Sequence, residues 1–170
     1  MNLLKQLVKK DLNLDAQEEL RRIRTLLYQK KEVKVIQFVA SNESKSIYQL
    51  TYDLAESFSL INKKTVLVNF NLRNEVLFSE YLSKKAFIGL DAYLTRHAML
   101  SDMIISINEH FDLITNKIKL PNSTDYLSED KLLPLFESLQ RKYDYVFIIS
   151  PALRTCYDAL ILGEFSDRSE

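Results

Sequence analysis

The stretch from residue 34 to residue 71 decides the fold: Lys34-Val35-Ile36-Gln37-Phe38-Val39-Ala40, then Ser41-Asn42-Glu43-Ser44-Lys45-Ser46, then Ile47 to Ile61, then Thr65-Val66-Leu67-Val68-Asn69-Phe70-Asn71. The first and last pieces are mostly apolar, as strands buried in a parallel sheet are. The third piece carries apolar residues at steps of three and four, which predicts a helix whose core-facing residues are Ile47, Leu50, Leu54, Phe58 and Ile61. Strand, helix and strand in this order predict a right-handed βαβ unit.

The rest of the chain continues this alternation. Further strands are predicted at Phe111–Thr115 and Tyr143–Ser150, and further helices at about 126–141 and at Asp158–Glu164. This pattern predicts a three-layer α/β fold, in which a mostly parallel central sheet is flanked by helices. We expect two parts, N-terminal helices at residues 1–30 and one compact α/β unit at residues 31–170.

Composition narrows the function classes. The 170 residues are 46% hydrophobic and 27% charged, which is typical of a soluble globular domain. The formal net charge is zero, so no nucleic-acid partner is expected. No apolar run approaches the roughly 18 residues that a membrane span needs, and no signal peptide is visible, so we expect a cytoplasmic protein. The single cysteine, Cys156, fits a reducing compartment.

Four stretches between residues 16 and 165 carry a family resemblance. They are Glu18-Glu19-Leu20-Arg21-Arg22-Ile23-Arg24, Leu54-Ala55 with Lys63 to Arg73, Pro121-Asn122-Ser123-Thr124-Asp125-Tyr126-Leu127, and Tyr143-Asp144-Tyr145-Val146-Phe147-Ile148-Ile149-Ser150-Pro151. In this order they resemble the E-x-x-R-x-x-R helix, the D-x-D-L-R strand, the P-N-P-S-E-L-L turn and the Y-D-Y-V-I-I-D-T-P strand of the bacterial tyrosine kinases of capsule and exopolysaccharide gene clusters. The resemblance implies the P-loop fold that these kinases share with the partitioning and septum-site ATPases.

The chain departs from that family in its phosphate loop, which reads roughly S-x-x-P-G-E-G-K-S in the family. Counted back without gaps from Leu54, Ser44 and Ser46 take the glycine positions, Ile47 the lysine position and Tyr48 that of the magnesium-binding hydroxyl. Glycines let the backbone approach a phosphate closely, and the lysine supplies positive charge. We hypothesise that Tyr48, together with Ile47, fills the space that the phosphates would occupy.

The later motifs depart at their acidic positions. Asn69 and Asn71 replace the two aspartates of the second motif, and Ile149 replaces that of the third, whereas Arg73 is kept. Carboxylates are the usual protein ligands of Mg²⁺. We therefore expect no catalytic residue, no metal and no bound cofactor, and we interpret Arg73 as the relic of an anion site.

A gapped alignment leaves an alternative open. It makes Lys45 and Ser46 the lysine–serine pair of a loop shortened by two residues. The chain would then be a divergent but active ATP-dependent tyrosine autokinase with ATP and Mg²⁺ as cofactors.

The resemblance also implies association. In the family, the helix matching Glu18, Arg21 and Arg24 mediates ring-like self-association; the plain alternative is a solvated helix with ordinary ion pairs three residues apart. Compared with the family, we interpret the chain as a degenerate, C-terminally truncated member without the tail of clustered tyrosines.

These observations favour a catalytically inactive relative of the kinases that acts by binding. Its expected partners are a second copy, an active kinase homologue, or the transmembrane polysaccharide chain-length regulator, which would hold it at the inner face of the membrane. A relic without selected function is the third interpretation.

Overall fold

The computed structural model describes residues 14–73, 78, 87–96 and 98–169. The chain divides into two compact units, Met1–Lys31 and Glu32–Glu170. In the first unit, helix α1 spans Leu14–Gln29; residues 1–13 of the predicted N-terminal part lie outside the described residues. Among the described residues, no helix is long and apolar enough to cross a bilayer.

Strands and helices mostly alternate in the second unit, as predicted, but two short helices and then two strands follow one another directly in its middle. The strands are β1 (Val35–Phe38), β2 (Thr65–Asn69), β3 (Ile105–Asn108), β4 (Phe111–Ile114), β5 (Tyr145–Ile149) and β6 (Arg168–Ser169). The helices are α2 (Lys45–Ser59), α3 (Leu90–Thr95), α4 (Leu100–Met103), α5 (Glu129–Lys142) and α6 (Asp158–Gly163), with a 3-10 turn at Ser123–Tyr126.

Within the described residues these strands form one sheet in the order β3-β4-β2-β5-β1-β6. Every pairing is parallel except that of β3 with β4, which confirms the predicted mostly parallel α/β fold. Ile149 of β5 is in register with Phe38 of β1 on one side and with Asn69 of β2 on the other. The carboxyl ends of the three central strands therefore lie side by side.

Residues of β5 pack alternately on the two faces of the sheet. Val146 and Ile148 belong to the apolar cluster that includes the buried side chains of α5. Phe147 packs instead on Phe58 of α2, with ring centroids 5.5 Å apart. Helices therefore cover both faces of the sheet, as in the predicted three-layer arrangement.

The predicted core face of α2 is correct in part. Leu54 and Phe58 are fully buried, but Leu50 and Ile61 are 39% and 38% exposed. Thr51 is buried in place of Leu50, which lies roughly 100° away around the helix. Burial of this polar residue is tolerated because its hydroxyl donates to the Ile47 carbonyl at 2.6 Å.

Candidate functional site

The candidate site lies at the carboxyl ends of β1, β2 and β5, where open α/β sheets bind their ligands. Residues 39–44 connect β1 to α2, whose N-cap is Ser44. In the described chain, positive φ angles occur only at Asn62 and Phe78, outside this loop. Phosphate-binding nests often use left-handed backbone positions, which let successive N–H groups converge. The described loop therefore contains no left-handed residue of the kind that such nests use.

Tyr48 is tied to both sides of this site. Its hydroxyl donates a hydrogen bond to Glu43 Oε2 at 2.9 Å and accepts one from the side-chain amide of Asn71. Burial, reinforced by the hydrogen bond to Glu43, raises the pKa of the Tyr48 phenol above its usual range. The phenol therefore stays protonated and remains a donor at neutral pH.

Glu43 carries a negative charge into the loop. Its Oε1 accepts hydrogen bonds from the Ala152 amide at 3.4 Å and from the Thr155 hydroxyl at 3.0 Å, both in the segment after β5. The carboxylate thus accepts three hydrogen bonds, one from α2 and two from the segment after β5, as a bound anion would. Sequence reasoning missed this role, although Glu43 is the one acidic residue between Ser41 and Ser46.

The two asparagines at the end of β2 are buried and engaged with protein groups. Asn69 Nδ2 lies 3.2 Å from Thr115 Oγ1 and 3.3 Å from Asn116 Oδ1, and Asn69 Oδ1 accepts from the Asn71 backbone amide at 3.0 Å. Ile149 beside them is fully buried and has an apolar side chain. Among the described residues, no group of three histidine, cysteine or acidic side chains is placed to hold a metal.

The start of α2 is polar and largely exposed. The hydroxyls of Ser44 and Ser46 lie 3.1 Å apart, and neither the Ser44 nor the Ser46 position carries the glycine that close phosphate contact favours. Ile47 is half-buried. Lys45 is exposed and is the first residue of the helix.

Arg73 lies with a different group of residues. Its Nε donates to Ser123 Oγ at 2.9 Å and its Nη2 to Thr124 Oγ1 at 2.6 Å. Both hydroxyls in turn donate to the carboxylate of Asp158, which is fully buried and 3.9 Å from Arg73 Nε. The chain thus supplies an internal anion to Arg73, and sequence reasoning did not predict Asp158 or this pairing.

The predicted association helix carries its charges on the surface. Arg21 Nη1 and Glu18 Oε2 form an ion pair of 2.9 Å, with the two side chains 58% and 73% exposed. Arg22 and Glu19 form a second, looser pair of 3.7 Å with the same spacing. Arg24, the third motif residue, is half-buried.

Sequence comparison finds relatives with named activities. Tyrosine-protein kinase CpsD of Streptococcus pneumoniae is 27% identical over 139 residues, which cover 81% of this chain and 61% of the relative. Tyrosine-protein kinase YwqD of Bacillus subtilis is 27% identical over 118 residues, covering 69% and 49%. The chain therefore spans about half to two thirds of the length of these relatives. No known family profile matches it.

Solved structures share the fold. The chimeric protein CapA2B2 superposes with a TM-score of 0.83 at 20% identity, covering 99% of this chain and 76% of the chimera. The septum-site-determining protein MinD of Pyrococcus horikoshii, solved with Mg-ADP, superposes with a TM-score of 0.66 at 20% identity, covering 80% and 56%. At these identities the superpositions establish architecture alone. The chain is thus a relative of the bacterial capsular tyrosine-protein kinases, and it has the P-loop NTPase-like α/β fold that they share with MinD.

Proposed function

We propose that this protein is a catalytically inactive relative of the capsular and exopolysaccharide tyrosine kinases, which acts by protein–protein association. The observation that carries the proposal is the network of Glu43, Tyr48 and Asn71, which occupies the strand–helix junction of the fold with the protein's own side chains. A carboxylate in this junction opposes a second anion there.

The described residues around this network supply neither the cations nor the metal ligands that phosphoryl transfer requires. Phosphoryl transfer depends on cations and metal ligands that neutralise charge on the transferred group. Asn69 and Asn71 offer neutral amides, and Ile149 offers an apolar side chain. Because the loss of one such stabilising contact commonly costs about 10²–10³ in rate, several losses together are incompatible with useful turnover.

Association is supported by the α1 surface. Glu18 and Arg21 present opposite charges on an exposed helix and belong to the stretch that resembles the kinase association motif. The partners that we propose are a second copy, an active kinase homologue, or the transmembrane chain-length regulator of polysaccharide synthesis. A regulatory or scaffolding role at the cytoplasmic face of the membrane would follow.

Thermal unfolding with millimolar Mg-ATP or Mg-ADP tests the vacated site directly. A ligand at about 100 times its dissociation constant would add about 2.7 kcal/mol to the stability of the folded state. That gain would raise the midpoint by several degrees in a domain of this size. We expect no shift with either nucleotide, and a shift of this size would overturn the proposal.

A second candidate function rests on a separate observation. Lys45 and Ser46 are the first two residues of α2, and the lysine and hydroxyl of a phosphate loop lie where its helix opens. On this interpretation the chain is an ATP-dependent tyrosine autokinase. Mg-ATP turnover that disappears in Lys45→Ala and persists in the control Lys119→Ala would establish it.

A further inference from the structure

A cavity of about 300 Å³ opens beside α3, away from the loop between β1 and α2. It lies next to the segment that follows β4. Its apolar lining residues are Phe87, Ile88, Ala92 and Ala98. The volume is at the lower end of the about 300–1,000 Å³ typical of small-molecule sites, so the cavity suits a ligand with roughly one ring.

The cavity wall is tied together by backbone contacts. The Leu90 amide donates to the Thr115 carbonyl at 3.0 Å, and the Lys117 amide donates to Asp91 Oδ1 at 2.5 Å. Gly89 is required by this close approach, because a Cβ atom there would lie 2.2 Å from Asp91 Oδ1 and 2.6 Å from the Lys117 backbone nitrogen. These contacts fix the backbone positions of the cavity wall.

The charged groups around the cavity favour an anion. Arg96 and Lys117 contribute two cations to the lining, and both side chains are exposed to an incoming ligand. Lys117 Nζ lies 4.4 Å from the centre of the Phe87 ring, so a positive charge stands directly over the apolar floor. Among the described lining residues, Asp91 is the one carboxylate, and its Oδ1 accepts from the amides of Lys117 and Ile118.

We propose that this cavity binds a small organic anion, with an apolar ring against the Phe87 side and a phosphate, sulfate or carboxylate between Arg96 and Lys117. The proposal goes beyond the proposed function and does not depend on it, because no residue of the Glu43–Tyr48–Asn71 network lines the cavity. The anion can belong to a free small molecule or to the side chain of a bound protein.

Phenyl phosphate is the probe, titrated into the full chain by isothermal calorimetry and by amide chemical-shift mapping. We expect saturable binding that inorganic phosphate and phenol do not reproduce, since neither carries both the ring and the charge. A phosphotyrosyl peptide titrated in parallel separates the two sources. Tighter binding of the peptide would place the anion on a partner protein, and tighter binding of phenyl phosphate would indicate a free molecule.

Three variants test the location. Lys117→Gln and Arg96→Gln should each weaken binding about two- to fivefold, as expected for exposed ion pairs. Ala98→Leu should abolish binding by filling the cavity while it keeps both cations. Lys119→Gln is the matched control and should bind normally. The proposal is overturned if phenyl phosphate does not bind or if inorganic phosphate binds equally well. It is also overturned if Ala98→Leu keeps the wild-type melting temperature and still binds normally.

Discussion

The hydroxyl of Tyr48 donates a 2.9 Å hydrogen bond to the Glu43 carboxylate, so the helix that opens the candidate site is bonded to its own loop. Asn71 donates to the same hydroxyl from the end of β2. Two elements that would enclose a phosphate in an active relative are therefore joined by protein groups.

Removing the Tyr48 hydroxyl should weaken the fold. In Tyr48→Phe the ring stays but the bonds to Glu43 and Asn71 are lost, and we expect a loss of about 1–2 kcal/mol in the free energy of unfolding. Urea unfolding measures it. Tyr157→Phe, in which the altered side chain is exposed, serves as the control and should change little. Equal values for the two variants would mean that the network contributes no stability.

Restoring the loop should restore nucleotide binding if the ungapped alignment is right. The variant Ser44→Gly, Ser46→Gly, Ile47→Lys and Tyr48→Ser returns the close approach, the charge and the hydroxyl. We expect Mg-ADP to raise its melting temperature, whereas the same variant with Ile47 retained should show no shift. If the variant folds and Mg-ADP shifts neither version, the prediction that the four loop substitutions alone account for the missing nucleotide affinity is wrong.

The free energy of unfolding should depend on pH through the protonation of Asp53. Burial raises the pKa of this carboxyl to about 6, the nearby charge of Glu56 adds to the effect, and the hydrogen bond from Gln49 opposes it. Between about pH 4 and 6 the folded state therefore keeps a proton that the unfolded chain releases. The stability from this group is present at low pH and is lost as the pH rises through that window.

Asp53→Asn tests this dependence. Because one pKa unit corresponds to about 1.4 kcal/mol, we expect the variant to be more stable than wild type by about 1–2 kcal/mol at pH 7.5 and equally stable at pH 4. Urea unfolding at the two pH values measures the difference. The exposed Glu137, changed to Gln, is the control. A pH-independent effect of Asp53→Asn would contradict the prediction.

The pairing of Arg73 with Asp158 should matter more than an ordinary surface pair. Arg73→Gln leaves a fully buried carboxylate without its cation, and we expect a loss of about 2 kcal/mol or more in the free energy of unfolding. The exposed Arg154, changed to Gln, should have an effect below about 0.5 kcal/mol. Similar small losses in both variants would show that Arg73 has no structural role.

The association helix offers a matched pair of variants. Arg21→Ala and Arg22→Ala each remove one exposed ion pair three residues apart, but only Arg21 belongs to the resembling motif. We expect Arg21→Ala to reduce self-association in sedimentation velocity, or capture of the kinase homologue, and Arg22→Ala to leave both intact. Each should change helix stability by only about 0.2–0.5 kcal/mol.

Two other results would count against association. If the two variants behave equally, the charged residues of α1 serve only to keep an ordinary surface helix solvated. A wild-type chain that is unstable, monomeric and without a captured partner would favour a relic with no selected function.

The sheet was largely predictable because its strands are short apolar runs. Val35–Phe38, Thr65–Asn69 and Tyr145–Ile149 lie within the predicted strands and differ from them only at the ends. Strand β3 was missed. Ile105 and Ile107 alternate with polar residues before the tight turn to Phe111, so period-two patterning could have identified a hairpin there.

The site was less predictable because its contacts are distant in sequence. Substitution at Ser44, Ile47, Tyr48 and Ile149 is visible by alignment, but nothing local shows that Glu43 meets Thr155, 112 residues away. Likewise, the buried Asp158 meets Ser123 across 35 residues. Sequence reasoning could state which motif positions differ from the family pattern, whereas only the folded chain shows which side chains meet there.

The hydrogen bonds of Asn69 bear on what a carboxylate at this position would cost. Its amide nitrogen faces the side-chain oxygens of Thr115 and Asn116. An aspartate placed there alone would lose that donor and put a negative charge against Asn116 Oδ1 in the interior. Such a single change would lower the stability of the fold unless a cation bound beside it, so the contacts of Asn69 make a metal-binding carboxylate costly to introduce at this position.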